Sequence, residues 1–179
     1  MRLFTAIDPP DDVRDHLSTL QMPATLDARW TDPTQFHVTI RFIGDASPDQ
    51  AVRYEEALFD ADMPVVNCRP YGLDVLPSRR NPRVLAVGLE RSDTLMTLYR
   101  AVSTALESKG VSPEDRSYRP HVTLARLTDI PAETVHAFLD RHDIDSLDSF
   151  RVDTLSLYES TLTQEGAVHE QRAALPLGT

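Results

Sequence analysis

The sequence predicts an α+β fold made of two like halves, each an antiparallel or mixed sheet with helices on its outer face, closing about a pseudo-two-fold axis on a central cleft. Three observations lead there. His37-Val38-Thr39-Ile40 returns 84 positions later as His121-Val122-Thr123-Leu124. The order of strand-like and helix-like patterns around each copy is repeated too, strand-helix-strand-helix-strand over 3–75 and again over 84–158, with matching elements about 81 to 85 residues apart. Within each run polar and apolar residues alternate, so His37, Thr39 and Arg41 share one strand face while Val38, Ile40 and Phe42 share the other. One face of each sheet is then core and the other open, and the pseudo-two-fold turns the open faces toward each other.

Taken in order, Leu3 to Ile7 reads as a buried strand. Pro9-Pro10-Asp11-Asp12 opens a helix with Val13, Leu17 and Leu20 at helical spacing and carboxylates where the helix dipole favours them. Gln21 to Pro33 is irregular, and Trp30 is expected to pack as core near the first His strand rather than to stack on a base. After the strand 37–43 and a turn at Gly44, Ser47-Pro48-Asp49-Gln50 has the N-cap, first-turn proline and reciprocal glutamine of a helix start, and that helix reaches about Phe59. Val65 to Val75 reads as a strand broken near Pro70 and Gly72, and Arg83 to Leu89 as another. Between them Pro77 to Arg83 reads as an exposed Pro-rich loop holding the densest basic cluster, Arg79, Arg80 and Arg83.

The second copy, opened by the strand Arg83 to Leu89, continues with a helix capped by Ser92, with Leu95, Leu98, Tyr99, Val102, Ala105 and Leu106 on one face and Gly110 as its stop. Arg119 to Arg126 is the second His strand, Pro131 to about His142 a helix, and Phe150 to Tyr158 a strand. A last strand, 167–175, closes the chain. At 179 residues the expectation is one bilobal domain over 1–179, acting as a monomer.

Composition narrows the function. Twenty-eight acidic residues face 18 basic ones, of which Lys109 is the only lysine, giving a formal charge of −10. That balance argues against a broad electrostatic grip on nucleic acid and fits a protein adapted to high salt, where excess charge is screened. A phosphate-bearing ligand then needs arginines gathered locally. No apolar run of about 18 residues and no signal-like start is found, so a soluble cytoplasmic protein is expected. Cys68 is alone, reads as a small buried residue, and forms no disulfide within the chain. His16, His136 and His142 fall on helices among charged residues and read as solvated. No His-Glu-x-x-His or Cys-x-x-Cys spacing is present, so neither a metal nor another cofactor is expected.

An imidazole and a hydroxyl two residues apart on a strand lie side by side. Two such pairs facing each other supply two proton carriers and two hydroxyl donors, a constellation suited to a phosphate ester. The residues that carry it, with Arg2-Leu3-Phe4-Thr5-Ala6-Ile7, Phe36 to Gly44, Pro120 to Arg126 and Leu157-Tyr158-Glu159-Ser160, make the chain resemble the RNA 2′,3′-cyclic phosphodiesterases. This group is also called the 2′-5′ RNA ligase family and belongs to the 2H phosphoesterases. The resemblance implies two lobes around a cleft, no metal, His37 and His121 as catalytic residues, and Thr39, Thr123 and Arg126 as phosphate ligands. Arg41, Arg79, Arg80 and Arg83 are candidate RNA contacts. It departs from the family pattern at His169, where tyrosine is common, and at Val75-Leu76-Pro77. The expected substrate is RNA ending in a 2′,3′-cyclic phosphate, tRNA fragments among such ends. Alternatives are a small cyclic nucleotide or, from another class, a non-catalytic module that binds RNA ends.

Overall fold

The computed structural model describes residues 1–142, 147–164 and 166–178; residues 143–146, inside the second predicted unit, and residues 165 and 179 lie outside the described residues. β1 (Arg2–Ile7) buries every side chain from Leu3 onward. α1 (Asp11–Thr19) follows the two prolines with Asp11 and Asp12 in its first turn. β2 (Arg29–Trp30) and a 3-10 turn at Pro33–Gln35, whose first residues are capped by Asp32 accepting from the Thr34 N–H, lead into β3 (Val38–Asp45). α2 (Pro48–Phe59) begins on a reciprocal cap: the Ser47 hydroxyl accepts from the Gln50 N–H and the Gln50 side chain accepts from the Ser47 N–H. β4 (Val66–Cys68), β5 (Pro70–Ser78) and β6 (Asn81–Leu89) come next. α3 (Asp93–Glu107), capped by Ser92, buries Leu95, Leu98, Val102 and Leu106 along one stripe. β7 (His121–Arg126), α4 (Ala132–Arg141), β8 (Phe150–Val152), β9 (Thr154–Thr163) and β10 (Gly166–Pro176) follow.

Among the described residues every strand pairing is antiparallel. The large sheet runs β10-β9-β1-β3-β7-β6-β5, with β2 added beside β7, and β4 pairs β8 in a second sheet. Leaving β10 aside, the order reads the same from both ends in terms of the duplicated unit, β9-β1-β3 against β5-β6-β7. The mirror point lies where β3 meets β7, Val38 opposite Val122.

The halves of the sheet are not the copies in the sequence, however. β5, last in the first copy, bonds to β6 of the second, and β9, last in the second, bonds to β1 of the first. The sequence reading kept each copy's strands in its own sheet. Chain proximity explains the exchange: Arg79-Arg80 alone joins β5 to β6, and so short a link favours a hairpin. The same hairpin replaces the expected loop at Pro77 to Arg83, because the strands continue through it with Pro77 opposite Pro82 and Ser78 opposite Asn81. Pro77 is tolerated because β5 is an edge strand and its ladder shifts register between Leu76 and Pro77, and Pro82 because the pairing of β6 with β7 begins only at Val84.

Apolar side chains of all four helices cover one face of the large sheet. α1, α2 and α3 bury Val13, Leu17, Tyr54, Leu58, Leu98 and Val102 against strand residues such as Ile7, Val38, Ile40, Val87, Val122 and Leu124. α4 sets Val135 and Phe138 on a smaller cluster with Val75, Leu85, Ala125 and Leu127. A fully buried leucine such as Leu98 contributes roughly 1.5–3 kcal/mol relative to exposure. Trp30 packs against both clusters. Its strand pairs the second His strand, Trp30 opposite Ala125. Its indole N–H donates to the Leu26 carbonyl.

Candidate active site

Val38 and Val122 are fully buried in the helix-side core, so their neighbours His37 and His121 emerge on the uncovered face, beside the contact between β3 and β7. The two rings are close enough that a charge on His121 opposes protonation of His37. Their settings repeat. His37 Nδ1 lies 2.8 Å from the Gln35 carbonyl oxygen, and His121 Nδ1 lies 2.7 Å from that of Arg119, each two residues earlier in the chain. A carbonyl only accepts, so each Nδ1 carries a proton and each Nε2 is left to take or give one in the cleft. Thr39 is opposite Ala6 and Thr123 opposite Ala86, small partners that leave space above both hydroxyls.

Beyond the threonines both strands bulge. Along β1, Ala6 pairs with Thr39 but Thr5 with Arg41, which skips Ile40; along β6, Ala86 pairs with Thr123 but Leu85 with Ala125, which skips Leu124. One extra residue reverses the facing of all that follow. Arg126 therefore returns to the face of His121 and Thr123, where simple alternation put it behind the strand, and its charge depresses the pKa of His37, His121 and His169 alike. The bulge in β3 does the opposite to Arg41. It was expected beside His37 as an RNA contact, but is 3% exposed, donates to the carbonyls of Phe42 and Ser112, and pairs with Glu107 and Glu114. Phe42 takes the outward position, 61% exposed.

Each histidine has a carboxylate held by a tyrosine. Near His37, Asp8 accepts from the Ser156 hydroxyl at 2.7 Å and the Tyr158 hydroxyl at 2.9 Å. Near His121, Asp74 accepts from Tyr71 at 2.7 Å and from Arg119 at 3.1 Å. The Tyr71 ring lies directly over Gly88, which is opposite His121; a Cβ there would meet it within 2.1 Å. Burial works against the Asp74 charge, but the bonds from Tyr71 and the Val75 N–H together with the arginine outweigh it and hold its carboxyl below the usual range. Both imidazoles are depressed chiefly by burial. The Gln35 carbonyl and Asp8 work back toward protonation of His37 against the charges of His121 and Arg126, and the Arg119 carbonyl and Asp74 do so for His121 against Arg119 and Arg126. His169, on β10, stands edge-on to His37 with ring centres 5.3 Å apart and packs on Phe4. Burial, reinforced by the charges of His37 and Arg126, pushes it down to about 4.

The remaining candidates lie outside this group. Arg79 and Arg80 form the exposed tip of the β5–β6 hairpin, with the Arg79 carbonyl taking a bond from His136 Nε2, and Arg83 is exposed on the strand face shared with Leu85 and Val87. Cys68 is fully buried, its thiol pushed up to about 12 by that burial. Among the described residues no three or more His, Cys, Asp and Glu side chains are grouped to share a metal ion. Sequence reading missed Tyr71, Asp74 and Tyr158, on strands far from either motif, and Asp8, just past the end of β1. It also missed Gln35 and Arg119, although these are 84 residues apart, the same spacing as the histidines.

A family model described as LigT like Phosphoesterase matches the chain twice, over 7–86 and 87–169. The chain belongs to that family. Among its relatives are the RNA 2′,3′-cyclic phosphodiesterase of Aeropyrum pernix, 30% identical over 162 residues with 88% of this chain and 89% of that one covered, and the protein of the same name from Methanothermobacter thermautotrophicus, 29% identical with 94% and 95% covered. Solved structures share the fold: a Thermus thermophilus protein with a TM-score of 0.81 at 22% identity, and E. coli LigT complexed with 3′-AMP with a TM-score of 0.76 at 20% identity, each covering 99% of this chain and 98% of that one. The two family matches meet inside β6, so this LigT-like phosphoesterase carries the family's repeat twice and exchanges strands across the joint.

Proposed function

We propose that this phosphoesterase hydrolyses the 2′,3′-cyclic phosphate at an RNA end to a 2′-phosphomonoester without a metal, and that 1–179 works as one bilobal domain. The observation that carries the reading is the pair of cleft histidines, each with Nδ1 tied to a main-chain carbonyl and Nε2 free. Relatives named for this activity support the substrate class. His121 Nε2 takes a proton from water, the hydroxide oxygen bonds to phosphorus, the P–O3′ bond breaks, and His37 Nε2–H returns a proton to O3′. The roles are those the family resemblance implies, His121 as base and His37 as acid; burial depresses both rings, and each keeps a carboxylate nearby, Asp74 and Asp8 respectively. Thr39 and Thr123 hydroxyls and Arg126 hold the non-bridging oxygens as charge builds on them. Replacing water by a 5′-hydroxyl gives a 2′-5′ linkage by the same route, so ligation is the companion activity.

The test is an RNA oligonucleotide ending in a 2′,3′-cyclic phosphate, tRNA fragments included, incubated with chelator present and followed by phosphorus NMR. The expected product is the 2′-phosphomonoester alone. Turnover restricted to mononucleotide cyclic phosphates places the substrate among small cyclic nucleotides, and binding without turnover at any salt concentration makes the protein an RNA-end binding module. The acidic surface adds that activity and stability should rise with added KCl, as in a salt-adapted cytoplasm.

A further inference from the structure

Gln35 and Arg119 sit at equivalent places in the two copies, and each does two things. Its main-chain oxygen accepts the Nδ1–H of the histidine two residues on. Its side chain crosses to an edge strand of the large sheet. Gln35 Oε1 accepts from the His169 N–H on β10 at 3.0 Å, while Arg119 donates to the Pro77 carbonyl at 2.8 Å and to Asp74 Oδ2 at 3.1 Å, both on β5. β10 and β5 are the two ends of the sheet. Gln35 ends the 3-10 turn and Arg119 lies in the connection just ahead of β7, and among the main-chain hydrogen bonds of these two segments none is made to the Gln35 or Arg119 carbonyl, so the direction of each carbonyl depends on how its own residue is held. An imidazole bonded to a wandering carbonyl would lose both its tautomer and its aim.

We propose that Gln35 and Arg119 are a matched pair of positioning residues. Each fixes its own histidine through its carbonyl, and fixes that carbonyl by anchoring its side chain to the sheet edge on its side of the cleft. Their chemistry differs because their anchors differ: an amide suffices for a main-chain N–H, whereas a guanidinium bridges a carbonyl and a carboxylate at once. In kinetic terms the inference rests on the two-histidine reading; in structural terms it concerns the rings alone.

The experiment separates the two. Gln35→Leu and Arg119→Met remove the anchors and leave the carbonyls, while Gln35→Glu and Arg119→Lys restore an acceptor or a cation. Nitrogen-15 NMR of the histidine rings in the intact protein should show the Nδ1–H tautomer at His37 and His121 in wild type. A mixed tautomer should appear at His37 only in Gln35→Leu and at His121 only in Arg119→Met, with the conservative variants returning toward wild type. On a cyclic phosphate substrate kcat should fall about 10- to 100-fold with KM within about threefold, the signature of misaimed groups. Unchanged tautomers in folded variants overturn the proposal, as does a raised KM at constant kcat, which would make Arg119 a substrate contact. Tautomer shifts in a protein that turns over no cyclic phosphate uphold the positioning role and sink the hydrolase reading.

Discussion

His37 and His121 were legible because they repeat; what tunes them was not, since carboxylates and tyrosines distant in the chain leave no local pattern. The tuning sets the pH behaviour. Burial depresses both imidazoles below their ordinary 6.5, so kcat/KM, which reports the free enzyme, should trace a bell centred below pH 6.5. A bound phosphate diester favours the charged imidazole, so the kcat profile should lie at higher pH. His37→Ala and His121→Ala should each cost on the order of 10²–10⁴ in rate, remove one limb apiece, and combine far below the product of the single losses. Rate–pH measurements on the three variants check this, and near-wild-type turnover with both limbs in either single variant would refute the two-histidine mechanism. His169 makes a separate demand on stability. Its pKa is 6.5 unfolded and about 4 folded, so between those values the unfolded chain binds more protons. Its contribution is whole above pH 6.5 and is lost as pH falls toward 4. His169→Phe should therefore show a shallower drop in Tm across that window than wild type, by thermal melts at matched ionic strength.

Element boundaries were largely readable, because caps and apolar spacing are local: Ser47 and Ser92 begin helices where the sequence placed them. Facing along the two His strands was not, since a bulge is set by how a strand meets its neighbour. The hint lay in Leu124-Ala125, an apolar pair that breaks alternation just before Arg126, and in Arg41, which alternation aimed at the cleft. The displaced Arg41 ties β3 to the end of α3 and to the segment entering β7 through Glu107 at 3.6 Å and Glu114 at 3.5 Å. Either glutamate alone can balance the buried guanidinium, so Glu107→Gln and Glu114→Gln should each cost under about 1 kcal/mol. The double variant strands a buried charge and should cost about 3 kcal/mol, more than the sum. Urea unfolding of the four proteins measures the coupling, and simple additivity would show that Arg41 does not depend on the pair.

At the scale of the whole molecule the duplication was visible in the spacing of motifs, but its assembly was hidden, because sequence order does not say which copy's strand a strand will bond. The two-residue link at Arg79-Arg80 decides it by making β5 and β6 neighbours. β9 then takes the equivalent place beside β1, and β10 covers β9. Each histidine's surroundings are consequently shared: Tyr158 and His169 of the second copy serve His37 of the first, while Tyr71 and Asp74 of the first serve His121 of the second. Neither copy is then expected to fold on its own, since residues 1–79 lack β9 beside β1 and leave β5 with no partner, and residues 80–179 lack β1 beside β9. Cutting between Arg79 and Arg80 should give two fragments that are each unfolded by circular dichroism and NMR. Mixed at equal concentration, they should recover the sheet and cyclic phosphate turnover together, because each half of the cleft draws on both. A fragment that alone shows dispersed amide resonances and a cooperative melt would mean that the copies are independent units after all.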